Sequence, residues 1–139
     1  MDSAVNRQAL PVEAFRTRLR DHHLACGAPP YRSVVEVARR LPELYPDALK
    51  DRTLPRLSVA TISAILTGQR VGLPDPEWVA AFVLACQRRA FETCVLVSDP
   101  GPEVLPRWMD WYRQAQAEMR SVGMREHFTH PLADDSQHL

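Results

Sequence analysis

A chain of 139 residues with 45% hydrophobic content is long enough for one ordinary domain with its own core and too short for two comfortable ones. No run approaches the roughly 18 apolar residues a membrane span needs, and the opening MDSAVNRQALPVEAF lacks a charged stretch followed by an apolar block, so neither a span nor a signal peptide is expected. A formal net charge of zero argues at first against nucleic acid, but the charge is uneven: residues 1–70 hold eleven Lys+Arg and seven Asp+Glu, a surplus of +4, and residues 71–139 hold six and ten, a deficit of −4.

Residues 1–10 carry no periodic pattern and are expected to be flexible. From Pro11, PVEAFRTRLRDHHLACG sets Val12, Phe15 and Leu19 on one helical face and Arg16, Arg18 and Arg20 largely outside. Pro11 suits a first turn and Gly27 a stop. His22 and His23 close this helix, where an imidazolium interacts favourably with the dipole; capping is expected over a pH switch. Pro29-Pro30 then forces a short extended link. Ser33 and Glu36 have capping-box spacing, and Val34, Val37, Ala38 and Leu41 supply apolar contacts, which predicts a second helix over 33–41.

Pro42, Pro46 and Pro55 break the pattern through residue 56, with room for one helical turn near 47–50. The next segment, LSVATISAILTGQR, is the most informative. Ser58 can cap a helix start and Gly68 can end it. Ile62, Ile65 and Leu66 form a narrow apolar stripe between them. Such a helix of 58–67 is roughly 15 Å long, a length that fits the major groove of DNA. Trp78, Val79, Phe82, Val83 and Cys86 predict a strongly amphipathic helix, and Ser98-Asp99-Pro100-Gly101-Pro102 a loop. A last helix, 104–120, carries Trp108, Trp111, Tyr112, Ala115 and Met119. Beyond Gly123 a polar tail is expected to be disordered. No strand-like alternation survives, so the domain should be all-α with about five helices.

Cys26, Cys86 and Cys94 are odd in number and lack zinc-ligand spacing, which predicts buried reduced thiols in a cytoplasmic protein. His127 and His130 could hold a metal by spacing, with His138 nearby, but no carboxylate or thiol completes a site; a solvated tail is expected. Phosphate loops, nucleophile elbows and zinc helices are missing, so no catalytic residue, metal or cofactor is proposed.

The pattern in Ser33, Glu36, Val37, Ala38, Arg39 and Arg40, followed by Thr61, Ile62, Ser63 and Gly68-Gln69-Arg70, resembles the helix-turn-helix of phage-repressor-type (Xre-like) proteins, in the style of short actinobacterial regulators. Leu73-Pro74, Trp78, Phe82-Val83, Ala85-Cys86, Trp108 and Trp111 are similar to the tail of that group, so the likeness covers roughly residues 12–117. It implies a lambda-repressor-like domain over 11–122, with the helix pair at 33–67 and an added aromatic C-terminal helix. It also implies a transcriptional regulator of the cytoplasm and nucleoid that places helix 58–67 in the major groove of double-stranded DNA. Carried across, Ser58, Val59, Ala60, Thr61 and Ser63 face base edges. Ser33 meets a phosphate at the start of the second helix, and Gln69 and Arg70 meet the backbone beyond the glycine. Arg32 is added on charge and placement.

Winding 58–67 as a helix turns Ala60, Thr61, Ser63, Ala64 and Thr67 outward. None makes the bidentate base contact of Arg, Lys, Asn or Gln, so selectivity rests on weaker contact of Val59, Ala60 and Thr61 with thymine methyls. The same small outward face would also let another helix approach closely. The alternative is therefore a helix-turn-helix scaffold used as a protein-interaction module. Trp108, Trp111 and Tyr112 are expected to pack on Phe15, Trp78 and Phe82, with a homodimer surface as the second reading.

Overall fold

The computed structural model describes the backbone of residues 3–138 and the side-chain surroundings of residues 10–122. It is all-α: α1 Ser3–Ala25, α2 Tyr31–Leu44, α3 Pro46–Leu49, α4 Val59–Leu66, α5 Pro76–Glu92 and α6 Leu105–His138, with a 3₁₀ turn at Gly101–Val104 and no strand among the described residues. The backbone of residues 3–10 continues α1 and that of residues 123–138 continues α6. Of the expected flexible ends, residues 1–10 and the tail 123–139, the side chains of 1–9 and 123–139 lie outside the described residues, and His127, His130 and His138 with them.

The core is organised around α5. Every residue from Trp78 to Gln87 is buried, so this helix is enclosed on all sides rather than amphipathic as its sequence pattern suggests. The reason is tertiary: α2 packs along it, and α1, α6 and the 3₁₀ turn cover what α2 leaves. Alanine at 80, 81 and 85 lets those neighbours come close, and Phe82 and Leu84 fill the space between. On the far side α1 pairs with α6, where Phe15 meets Trp108 and Tyr112 edge-on at centroid distances of 6.0 and 5.5 Å. Trp78 instead stacks on Phe82 at 5.1 Å. Both sets belong to one continuous core, as expected from the sequence, with the half-buried Trp111 packed against it.

Three helices end in the same way. In α1, α4 and α5 the residue after the cap is left-handed, at Gly27 (φ 86°), Gly68 (φ 83°) and Cys94 (φ 65°). Each is followed by a backbone bond across the last turn: Ala28 N–H to His23 (2.9 Å), Gln69 N–H to Ala64 (2.9 Å) and Val95 N–H to Ala90 (2.8 Å). The two glycine stops follow their sequence signals. Cys94 carries no such signal, and its position in the tight turn leaves it exposed, so only Cys26 and Cys86 are buried thiols.

The start of α2 departs from expectation. No capping box forms between Ser33 and Glu36; Pro30 precedes the helix with φ −56° and ψ 142°, and its carbonyl accepts from Ser33 N–H (2.9 Å) and Val34 N–H (3.1 Å). The Pro29-Pro30 link fixes that carbonyl ahead of the helix, so the first turn begins at Tyr31 and Ser33 lies within it. Pro42 does not stop α2 but sits in its final turns. Lacking an N–H, it leaves the Ala38 carbonyl without its helical donor on a side that opens to solvent. The loop expected at 98–102 tightens into the 3₁₀ turn because the Asp99 carboxylate accepts from Gly101 N–H at 3.0 Å. No helix among the described residues is long and apolar enough to cross a membrane.

Candidate nucleic-acid interface

Helix α4 holds the candidate residues. Ile62, Ile65 and Leu66 are buried and pin it to α1 and α2, as the apolar stripe predicts. Ser58 is extended (φ −133°, ψ 154°) and caps the start: its hydroxyl accepts from Thr61 N–H at 3.1 Å and donates to the Thr61 hydroxyl at 2.8 Å. At the other end Thr67 donates its hydroxyl to the Ser63 carbonyl at 2.6 Å. Ser58, Val59, Ala60, Thr67, Gln69 and Arg70 are exposed, whereas Thr61, Ser63 and Ala64 are half-buried. Val59, an apolar residue, is 45% exposed. The outward side of α4 is therefore a surface of methyl groups and short hydroxyls, and the hydroxyls of Ser58, Thr61 and Thr67 are already engaged within the helix.

The segment between α2 and α4 is not a tight turn. It contains α3, whose Leu49 is buried, and then runs without regular structure from Arg52 to Leu57. That run and the outer side of α2 bound an open cleft of about 500 Å³, lined by Ala38, Pro42, Thr53, Leu54, Pro55 and Leu57, with Arg39, Arg52 and Arg56 around it. The cleft leads into the start of α4, because Leu57 directly precedes the cap. Arg52 is bound to Glu77 of α5 and fixes the segment. Arg39 and Arg56 have no carboxylate partner among the described residues, nor have Arg32, Lys50 and Arg70. Five cations in no ion pair among the described residues thus fall within or just outside the α2–α4 unit, as do the unpaired carboxylates of Glu36, Glu43, Asp47 and Asp51.

Of the residues singled out from sequence, Ser58–Thr67, Gln69 and Arg70 come together on one helix and its stop. Arg32 and Ser33 sit at the start of α2, Arg32 exposed and Ser33 half-buried, and no hydrogen bond joins either side chain to α4 among the described residues. The Ser33 N–H is committed to the Pro30 carbonyl, so the phosphate contact expected of Ser33 would fall to its hydroxyl. Sequence reasoning missed three arginines. Arg39 and Arg56 line one cleft only because the inserted segment folds back on α2. Arg16, read as an outward residue, reaches over the end of α4: its Nε donates to the Ile65 carbonyl at 3.1 Å and an Nη to the Arg70 carbonyl at 3.3 Å. A cation at the negative end of the helix offsets its dipole there. Glu13 binds the same guanidinium, which burial and the nearby Arg20 hold below its ordinary pKa.

The histidines at the end of α1 also differ from expectation. His22 donates from Nε2 to the Val83 carbonyl at 3.1 Å, and burial pushes its pKa below the ordinary value, with His23 adding in the same direction and the Val83 bond opposing. It is a neutral cross-link from α1 to α5 and not a charged cap. His23 reaches the Pro29 carbonyl at 2.8 Å. Among the described residues no group of three or more His, Cys, Asp or Glu is placed to hold a metal. Compared with protein-family models, curated proteins and solved structures, the chain matches none of them.

Proposed function

We propose that this protein is a DNA-binding regulator of helix-turn-helix type, in the manner of the Xre-like proteins its motifs resemble, with α4 in the major groove and α2 across the backbone. The observation that carries this reading is the pairing of a rigidly capped short helix, open on its methyl-and-hydroxyl side, with arginines that are in no ion pair among the described residues. In this reading Arg39 and Arg56 beside the helix start and Arg70 beyond its end would meet phosphates flanking the groove, and Arg32 adds charge at α2. The half-exposed Trp111 of α6 is the part of the aromatic face left for a second copy, which would put two reading helices on one duplex. Action in the cytoplasm, on the nucleoid, belongs to the same proposal.

Because α4 presents no side chain able to make a bidentate base contact, the reading expects binding dominated by phosphates. Fluorescence anisotropy on a mixed-sequence duplex should give a Kd of about 10⁻⁴–10⁻⁶ M at physiological salt, and tighter binding at low salt. Arg32→Ala with Arg70→Ala should weaken binding and flatten the log–log salt dependence by about two units, near 0.9 for each phosphate no longer neutralised. Absence of binding by the unaltered protein at low salt ends the reading. The second reading, a protein-interaction module, would then take over, since the exposed Val59 and the small residues beside it offer a close-approach surface to another helix. Light scattering over a concentration series tests the dimer: an unchanged mass for Trp111→Ala removes Trp111 from any self-association.

A further inference from the structure

On the side of the molecule formed by α1, α5, the 3₁₀ turn and the start of α6 lies a second cleft, of about 540 Å³. That volume is within the range of small-molecule sites. Its back wall is aromatic. Trp108, 5% exposed, and the half-buried Trp111 stand at 82° to one another with centroids 5.1 Å apart, an edge-to-face indole corner that lines the cleft.

The floor is polar. Gln87 is 2% exposed and is the one buried polar residue of the described core. Its amide nitrogen donates to the Gly101 carbonyl at 2.9 Å, while its amide oxygen receives no hydrogen bond from the chain. That oxygen is not sealed within protein, because the only fully buried and unpartnered side-chain nitrogen or oxygen among the described residues is the Trp78 indole nitrogen. It therefore opens to the cleft that Gln87 lines. An acceptor of this kind, held by its own amide and left unmatched, is a place for a donor from a ligand.

The rim carries both signs of charge. Arg18 lies over the Trp111 ring at 4.0 Å, which fixes the guanidinium plane and leaves its N–H edges unused. Arg107 adds a second cation, and Asp21 and Glu103 supply two carboxylates. None of the four is in an ion pair with another or with any described residue. Opposite charges gathered at one opening but unmatched among themselves suit a guest that carries both signs.

We propose that this cleft binds an aromatic zwitterion, a molecule of amino-acid chemistry whose ring enters the Trp108–Trp111 corner while its carboxylate meets Arg18 and its ammonium meets Glu103 or Asp21. The proposal does not rest on DNA binding, but it places its ligand on the same Trp111 that the dimer reading gives to a second copy, so ligand and second copy would compete there.

The test is titration of the ¹⁵N-labelled protein with L-tryptophan, indole-3-propanoate and tryptamine, followed at the three indole N–H resonances. L-tryptophan should shift the Trp108 and Trp111 signals, leave Trp78 in place, and saturate with a Kd of about 1 mM or below. Each single-charge analogue should bind about tenfold or more weakly, because it forgoes one charge-assisted hydrogen bond. Arg18→Gln and Glu103→Gln, both changes at exposed rim positions that should leave the fold intact, should each cost a similar factor. A lack of saturable shifts with all three probes overturns the proposal. So does equal binding of the propanoate and the zwitterion, or L-tryptophan binding that Arg18→Gln leaves unaltered.

Discussion

Cys94 shows how much one residue's conformation can reveal. With φ at 65° it occupies the left-handed stop that glycine fills at the ends of α1 and α4. A side chain there costs roughly 1–2 kcal/mol. Exposed as it is, Cys94 contributes little packing in return. Cys94→Gly should therefore stabilise the protein by about 1 kcal/mol, a rise of roughly 3 °C in Tm for a domain of this size; a thermal melt decides it, and an unchanged or lower Tm would show that the strain is not there. The same residue sets thiol reactivity. Burial pushes the Cys26 thiol up to about 11 and the enclosed Cys86 well above its ordinary value. Only the thiolate reacts at neutral pH. A disulfide-exchange reagent should therefore titrate one thiol of the native protein and three after denaturation, and rapid modification of two in the native state would contradict the burial pattern.

At the scale of the element, α4 is held by signals of two ranges. Ser58 and Gly68 are local: a hydroxyl one residue before the helix and a glycine two residues beyond it can be read from the segment alone, and both perform as expected. Arg16 is the long-range part, because 49 residues separate it from the Ile65 carbonyl it binds. Its guanidinium makes the only side-chain hydrogen bonds from α1 to the end of the candidate reading helix among the described residues. Arg16→Met keeps most of the stem but leaves two carbonyls without their charged donor, and should cost about 1.5 kcal/mol. Gly68→Ala should cost at least about 1 kcal/mol, since a Cβ at φ 83° would also lie 3.2 Å from the Arg16 guanidinium. Urea unfolding measures both. If the two changes combined add their separate effects in full, the glycine and the arginine are not coupled and the clamp is not what orients this end of α4.

Across the whole molecule, α2, α5 and the loop after it are tied by one polar network. Arg40 of α2 donates to Glu92 of α5 at 3.0 and 3.2 Å. Arg88 joins Glu92 (3.0 Å) to Asp99 (3.4 Å), and Tyr45 donates its hydroxyl to the same Asp99 carboxylate. The Arg40 bond, helped by Arg88, holds Glu92 below its ordinary 4.5 despite partial desolvation. Burial holds His22 below its ordinary 6.5. Both folded-state values are depressed, so the unfolded chain binds more protons than the native one as pH falls, and acid favours unfolding. Stability should be flat between neutrality and about pH 8, above which the unfolded-state thiols of Cys26 and Cys86 ionise first; it should start to fall below about pH 6.5 as the unfolded-state His22 takes up its proton, and fall again below about pH 4.5 as Glu92 does. In urea melts His22→Gln should remove the first decline and leave the second. A first decline that survives His22→Gln would assign it to other groups.

The fold class was legible from periodicity alone, because helical spacing of apolar residues and the absence of alternation are properties of the chain taken a dozen residues at a time. The caps of α4, its buried stripe and the turn at α3 were legible for the same reason: each depends on neighbours within one or two turns. The enclosure of α5 on every side, the neutral His22, the grip of Arg16 on α4, the arginines lining the cleft of the inserted segment and the indole corner over Gln87 were decided only when distant segments came together. Hydrogen bonds and burial between residues tens of positions apart leave no period in the sequence. They exist only once the helices have packed and excluded water between them.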